Sequence, residues 1–163
     1  MNPRRRVVSI IGGAECSEKE VQIAEELGYL LGEQDVIIVC GGRGGVMEAA
    51  CRGAQRAGGI TIGILPNLDP SEGNPYLDVA IPTGMGHARN ALIAQAGQCV
   101  IAIGGGYGTL SEIGIALKIG RDVVGIGTWE AVDKSGKMIK IMRADNAREA
   151  VEFALGDSLS KNQ

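Results

Sequence analysis

Apolar positions along the chain fall in short unbroken runs separated by stretches of helical spacing. Arg6 to Gly13 (RVVSIIGG) is β-branched and ends on Gly12 and Gly13, which predicts a first strand. Ser17, with Glu20 three residues on, makes a capping box. Val21, Ala24, Leu27 and Leu31 form one stripe of the helix it starts, and Gly32 is placed to close it. Asp35 to Cys40 (DVIIVC) reads as a second strand, apolar and so buried on both faces. It runs straight into Gly41, Gly42, Arg43, Gly44 and Gly45. A second helix follows, with Val46, Ala50, Ala54 and Ala57 on one side and Gly58-Gly59 as its stop.

The same rhythm continues. Ile60 to Leu65 predicts a third strand ended by Pro66, and Asn67 to Tyr76, rich in Pro, Asn, Asp, Gly and Ser, a mobile loop. Leu77 to Ile81 predicts a short fourth strand, and Pro82-Thr83-Gly84 turn the chain into a third helix at His87 to Gln95. Gln98 to Ile103 is a fifth strand and Thr109 to Ile119 a fourth helix, with Gly120 just past its end; Asp122 to Ile126 is a sixth strand. Asp133-Lys134-Ser135-Gly136 looks like a turn, and Met138 to Met142 a further strand. Asp145 is expected to cap a last helix carrying Ala147, Ala150, Val151, Ala154 and Leu155, and the polar residues after it to fray.

Strands alternating with helices of this length predict a doubly wound, Rossmann-like parallel sheet of six to seven strands in a three-layer α/β/α sandwich. The 163 residues suffice for one domain with a sizeable core. Ligands of such folds bind beyond the carboxyl ends of the strands, where the strand order switches. The glycine-rich loops all fall at carboxyl ends.

Composition sharpens this picture. Aromatics are only 3% of the chain, so the core must be built from Val, Ile, Leu and Ala. Glycine supplies 26 residues, well above the usual ~7%. A net charge of −3 gives no broad field for nucleic acid, and Arg4-Arg5-Arg6 reads as a solvated end. The four cysteines, Cys16, Cys40, Cys51 and Cys99, lack CxxC spacing and read as free thiols. With no signal peptide and no apolar run long enough to span a bilayer, a cytoplasmic protein without membrane association is expected.

The densest chemistry lies in Ile103 to Glu112 (IGGGYGTLSE), where Gly104, Gly105, Gly106 and Gly108 sit at a strand-to-helix switch. Thr109 and Ser111 bring hydroxyls to the first helical turn and Glu112 a carboxylate. Bare N–H groups at a helix start, reinforced by the macrodipole, favour an anion, so this loop reads either as a phosphate cradle or as a tight turn that merely needs glycine. Several familiar chemistries are missing. No G-x-G-x-x-G follows the first strand, no G-K-[ST] follows either loop, and no G-x-S-x-G elbow surrounds a serine. One histidine and scattered cysteines argue against a metal site. Arg89 falls in the first turn of the third predicted helix, where a cation opposes the dipole; a bound anion would resolve the conflict, an exposed Arg reaching water would avoid it. His87 reads as a surface histidine. Arg89 and Glu112 each follow what are taken as neighbouring strands, so they form either a cleft pair for a phosphoribosyl group or a structural salt bridge.

Gly105 to Glu112 (GGYGTLSE) resembles the PGGxGTxxE motif of the Lonely Guy family, often mislabelled lysine decarboxylases, and Gly41 to Met47 (GGRGGVM) resembles that family's second, GGG-type loop. By motif position Arg89 corresponds to its catalytic arginine and Glu112 to its catalytic glutamate. Over almost the whole chain the sequence is similar to the molybdenum cofactor carrier proteins, in GGRGGVMEAACRGAQRAGG, TIGILP, IPTGMGHARN and Gly106 through Lys118. Gly104 stands where the Lonely Guy motif has Pro, Arg43 stands inside the second loop, and little chain follows the final helix. These departures favour the carrier-like branch, whose members bind a phosphate-bearing pterin without evident turnover. Nothing looks like a pyridoxal-phosphate site.

Two functions follow from the resemblance. The first is a carrier-like protein binding a phosphorylated small molecule, a nucleotide monophosphate or the molybdenum cofactor, with no cofactor required. Gly42, Gly44, Gly45, Gly106, Gly108 and Thr109 would supply donors and Arg89 the charge; Gly12, Gly13, Arg43, Asn90, Gly105, Tyr107 and Glu112 complete the expected contacts. The alternative is a nucleoside 5′-monophosphate phosphoribohydrolase of the cytokinin-activating type, with Arg89 and Glu112 catalytic. A module without ligand is the third, bland reading. Ile113, Ile115, Leu117 and Ile119 surround the fourth predicted helix, which must then be covered on all sides. A second subunit against the third and fourth helices, in a dimer or tetramer, would cover it; so would the segment Thr128–Met142.

Overall fold

The computed structural model describes residues 4–156. Seven strands, β1 (Val7–Gly12), β2 (Ile37–Cys40), β3 (Thr61–Leu65), β4 (Val79–Pro82), β5 (Cys99–Ile103), β6 (Asp122–Ile126) and β7 (Met142–Arg143), form one sheet in the order β4-β3-β2-β1-β5-β6-β7. Every neighbouring pair is parallel. Five helices connect them: α1 (Glu18–Glu33), α2 (Val46–Arg56), α3 (Asn90–Ala96), α4 (Tyr107–Lys118) and α5 (Ala147–Leu155). The result is the expected Rossmann-like three-layer sandwich. On one face Ile10, Ile38, Ile101 and Ile103 pack with Leu27 and Leu31 of α1, Ala50 of α2 and Ala147 of α5. On the other, Ile11, Val39, Val100 and Ala102 pack with Ile93 of α3 and Ile113 of α4. Strand residues of alternate parity thus feed opposite layers, and the central strands are buried on both sides.

Several boundaries move for identifiable reasons. The Ser17 cap is as predicted: Glu20 N–H donates to Ser17 Oγ, and Ser17 N–H donates to Glu20 Oε2 at 2.7 Å. Gly32 does not close α1, which runs on to Glu33; the left-handed residue after it is Asp35, at φ 56°. The predicted third helix splits into a 3-10 turn, Gly86–Arg89, and α3, because Gly86 adopts φ 55° and donates its N–H to Pro66 O. Leu77 is not in β4 but packs against Cys40, Met47 and Cys51. Met138 pairs antiparallel with Val132 around the Asp133–Gly136 turn, leaving only Met142–Arg143 for β7. The cap of α5 is Asn146, whose Oδ1 accepts from Glu149 N–H at 2.9 Å; Asp145 instead donates its own N–H to the Glu149 carboxylate. Residues 67–76, expected as a mobile loop, hold a 3-10 turn at Pro70–Glu72 and are tied to the second glycine loop by Asn74 N–H to Gly42 O, 2.9 Å. The polar tail expected to fray lies outside the described residues.

Gly28 and Gly53 have a role the sequence reading missed. A Cβ on Gly28 would lie 1.9 Å from Ala50 O, and one on Gly53 1.9 Å from Glu25 O. The two glycines let α1 and α2 cross with their backbones in contact, and Glu25 then meets Arg52 and Arg56 across the seam at 2.9 and 2.8 Å. Gly53→Ala is expected to destabilise the protein by about 1–3 kcal/mol despite alanine's better helix propensity. Chemical denaturation checks this; an unchanged midpoint would mean the helices are not in backbone contact.

On α4, Ile113 and Ala116 are buried, whereas Ile119 is 46% exposed and Ile115 and Leu117 are half-buried. The helix is therefore not enclosed on all sides within one chain. Trp129, Ile139 and Ile141 of the following segment cover part of it. Among the described residues no helix is long and apolar enough to cross a membrane.

Candidate functional site

From β1 the chain progresses outward through β2 and β3 to β4, then returns to place β5 on the other side of β1. The order switches between β1 and β5, and a cleft of about 390 Å³ opens there beyond the carboxyl ends. Gly12 at the end of β1 and Gly13 after it, Gly41 and Arg43 after β2, and Gly106, Gly108, Thr109 and Glu112 after β5 line it. Arg89 and Asn90 enter from the start of α3.

The loop after β5 supplies donors. α4 begins with Gly106 as its N-cap and no side chain caps it. Among the described residues no protein acceptor meets the backbone N–H groups of Gly105, Gly106, Tyr107, Gly108 or Thr109. Five successive free amides at a helix start form an anion-binding nest. The carbonyls are held away from it: Thr128 Oγ1 donates to Gly104 O at 2.6 Å, and Trp129 Nε1 to Gly106 O at 3.0 Å. Gly106 O also accepts from Leu110 N–H at 3.0 Å and so points along α4, and across the trans peptide the N–H of Tyr107 points the opposite way, off the helix start.

The glycines here are of two kinds. At Gly12 a Cβ would meet Val46 at 2.6 Å, at Gly45 (φ 64°) it would meet Gly13 O at 2.2 Å, and at Gly105 (φ 93°) Thr109 Oγ1 at 2.2 Å. The protein's own packing demands those three. Around Gly106 nothing lies within 4 Å, and around Gly108 only Asn90 Nδ2, at 4.0 Å. Neither needs a positive φ, and Gly108, inside the first turn of α4, costs about 1 kcal/mol against alanine. Both residues line the cleft, and a side chain at either would meet open space. Gly104 has φ 52° and abuts Glu20; proline, fixed near −65°, could not stand there, so the departure from the Lonely Guy motif changes the backbone of this turn.

Arg89 ends the 3-10 turn, and its guanidinium lies over the second loop. Nη2 donates to Gly41 O at 3.3 Å and Nη1 to Asn90 Oδ1, while Nε is buried with no partner. An orphaned buried N–H costs about 1–3 kcal/mol unless a ligand meets it. Burial holds Arg89 below its usual pKa, with the Glu112 charge pulling the other way. Asn90, itself buried, donates from Nδ2 to Ser111 Oγ at 3.1 Å, and Ser111 Oγ to Gly108 O at 2.6 Å. This relay fixes the guanidinium relative to the first turn of α4.

Glu112 is 7% exposed. Burial raises its pKa to about 7, against the opposing pull of Arg89. Among the described residues the two make no ion pair, and both line the cleft. The route that brings them together differs from the expected one. β4 is the sheet edge, separated from β5 by β3, β2 and β1, and Arg89 reaches the switch point because the chain after Pro82 crosses back before α3 packs on β1. Ser9 Oγ, donating to Ile93 O at 2.6 Å, holds α3 there.

Of the residues expected at the ligand, Gly12, Gly13, Arg43, Arg89, Asn90, Gly106, Gly108, Thr109 and Glu112 line the cleft. Gly42, Gly44, Gly45, Gly105 and Tyr107 do not; the positive φ of Gly42, Gly45 and Gly105 shapes the loops from behind. Arg43 sits at the rim in an exposed pair with Glu72, 3.3 Å. The sequence reading missed the lining supplied by Ile10, Ile11, Met47 and Pro66, and His87, read as a surface residue, is exposed but faces the cleft. Beneath Gly41, the buried Cys40 and Cys51 thiols lie 3.6 Å apart.

The layered parallel sheet and the glycine-lined cleft at its switch point define a Rossmann-like α/β protein. The chain belongs to the SLOG cluster4 family, which residues 5–152 match. An uncharacterized protein of Archaeoglobus fulgidus is 39% identical over 93% of this chain and 96% of its own. The cytokinin riboside 5′-monophosphate phosphoribohydrolase LOG of Oryza sativa subsp. japonica is 36% identical over 67% of this chain, which spans about half of that relative, 47%. The molybdenum cofactor binding protein of Rippkaea orientalis superimposes with a TM-score of 0.82 at 31% identity, over 92% of this chain and 95% of that one. The molybdenum cofactor carrier protein of Chlamydomonas reinhardtii gives 0.80 at 31%, over 91% and 96%. The protein thus lies in the Lonely Guy-like superfamily, close to its carrier members.

Proposed function

We propose that the protein binds a phosphorylated small molecule in the switch-point cleft, as a carrier of a nucleotide monophosphate or of the molybdenum cofactor. The observation that supports this best is a cleft lined both by Gly106, Gly108 and Thr109, whose amides have no protein acceptor, and by Arg89, whose buried Nε has no partner. The amides and the guanidinium would hold phosphate oxygens with charge-assisted hydrogen bonds. Kinship with carriers of nearly equal length fits this reading.

One observation favours a second reading, hydrolysis of a nucleoside 5′-monophosphate. A buried carboxyl with a pKa near 7 beside a guanidinium is poised for proton transfer at neutral pH. Arg89 would orient the phosphoribosyl group, and Glu112 would take a proton from water attacking the anomeric carbon and return it to the ring nitrogen of the base that departs as the N-glycosidic bond breaks. Incubation with AMP and with a cytokinin-type monophosphate separates the two. The carrier reading expects saturable binding with no free base. Base release that disappears in Glu112→Gln would establish the hydrolase instead.

A further inference from the structure

Under the cleft lies a third apolar cluster, distinct from the two core layers: Cys40, Met47 and Cys51, with Tyr76 and Leu77 against them. Both cysteines are fully buried and free, and their sulfurs lie 3.6 Å apart. One buried cysteine is an ordinary small apolar residue. Here two are in contact, directly below Gly41, whose carbonyl accepts from Arg89 Nη2. Met47 both packs on the sulfurs and lines the cleft, so one flexible thioether stands between the two. The thiols are also unlike. Cys51 donates to Cys40 Sγ, and so does Gly42 N–H at 3.3 Å; together with the Arg89 charge these bonds hold the Cys40 thiol below its usual range against the pull of burial. The bond to Cys40, and burial, push Cys51 up, so it keeps its proton. A nucleophilic sulfur thus sits beside a protonated partner able to resolve it.

We propose that Cys40 and Cys51 form a reversible disulfide, a modification site through which a hydroperoxide weakens the cleft's hold on its anion. Cys40 attacks the peroxide oxygen, the O–O bond breaks, and the departing oxygen takes a proton to leave as alcohol or water. Cys40 is then a sulfenic acid. Cys51 attacks its sulfur, the S–S bond forms, the S–O bond breaks, and hydroxide leaves with the Cys51 proton as water. Two thiols lose two electrons and the peroxide gains them. A disulfide holds its sulfurs about 2.05 Å apart, so they must close by about 1.5 Å. α2 is clamped, by Gly53 against α1 and by Val46 N–H to Gly13 O at 3.0 Å. The end of β2 yields instead, and Gly42 N–H loses an anionic acceptor. Gly41 follows, and Arg89 loses the carbonyl that aims it. The loss of affinity rests on reading the cleft as the phosphate site; the disulfide does not.

The full chain would be treated with hydrogen peroxide, alkylated in denaturant and digested with trypsin, which cuts between the two cysteines at Arg43. A linked pair of peptides holding Cys40 and Cys51 is expected, and dithiothreitol should separate them. In the native protein, oxidation should shift the amide signals of Gly41 and Gly42 and the Nε–H of Arg89, and weaken ribose 5-phosphate binding about tenfold. Cys16→Ser, which removes the half-buried thiol, should respond in full. Cys40 and Cys51 still alkylated after peroxide has oxidised Cys16, or a response lost with Cys16, would overturn the couple. A disulfide that leaves the three signals in place would overturn its coupling to the cleft. Moved signals in a protein that binds no ribose 5-phosphate, reduced or oxidised, would uphold the switch in the loop and overturn the phosphate site instead.

Discussion

Gly106→Asp is expected to stabilise the fold and abolish binding of a phosphate ester. The two effects have one cause. Gly106 is the N-cap of an uncapped helix, has a backbone conformation open to any residue, and has nothing within 4 Å of the position a Cβ would take. An aspartate there can accept from the amides of Gly108 or Thr109 and meets the positive end of the helix dipole. The gain is about 0.5–1 kcal/mol, read as a small rise in melting temperature. Its carboxylate would also occupy the donors meant for the ligand and repel an approaching phosphate, so ribose 5-phosphate binding should fall below detection. Gly105→Asp is the contrasting control: φ 93° and the 2.2 Å approach to Thr109 make it destabilising. A Gly106→Asp protein that still binds would show that the anion does not sit on this loop.

Glu112→Gln is expected to stabilise the unliganded protein at pH 8 but not at pH 4.5. Burial raises the carboxyl from an ordinary value of 4.5 to about 7. Between those values the folded protein keeps a proton that the unfolded chain has released, so stability falls as pH rises through that window and levels off above about 7. At pH 8 the folded state carries a buried charge at a cost on the order of 3 kcal/mol, which neutral Gln removes. Thermal unfolding should show a gain of about 5–10 °C at pH 8 that vanishes toward pH 4.5. A carboxylate that lowers stability where it stands is one retained for what it does to a ligand. If Glu112→Gln were less stable than the parent at pH 8, the carboxylate would be a structural partner of Arg89 after all.

Much of this was legible in the sequence. The unbroken apolar runs announced strands buried on both faces, and glycine clusters directly after them marked the carboxyl ends where the cleft opens. Glu112 and the loop before it could be singled out because four glycines followed by hydroxyls and a carboxylate sit at a strand-to-helix switch, and Gly106, Gly108, Thr109 and Glu112 do line the cleft. What was not legible depends on contacts remote in sequence. Gly28, Gly32 and Gly53 look like helix weaknesses or stops until two helix backbones are seen in contact. Arg89 was expected in the cleft by assuming adjacent strands; it arrives by a crossover from the sheet edge that spacing cannot reveal. Asn90, Ser111 and Gly108 join into a relay only once α3 and α4 lie side by side. Trp129 sits in a stretch with no periodicity, and only the fold shows it bracing Gly106.

The phosphate seat can be watched directly by following the backbone amides of an isotope-labelled sample through a titration with ribose 5-phosphate. An anion held on the loop after β5 should shift Gly105, Gly106, Tyr107, Gly108 and Thr109 together, saturating with one affinity and accompanied by the Nε–H of Arg89. Saturable binding that leaves those six signals in place and moves signals elsewhere in the chain would put the ligand elsewhere and refute the seat.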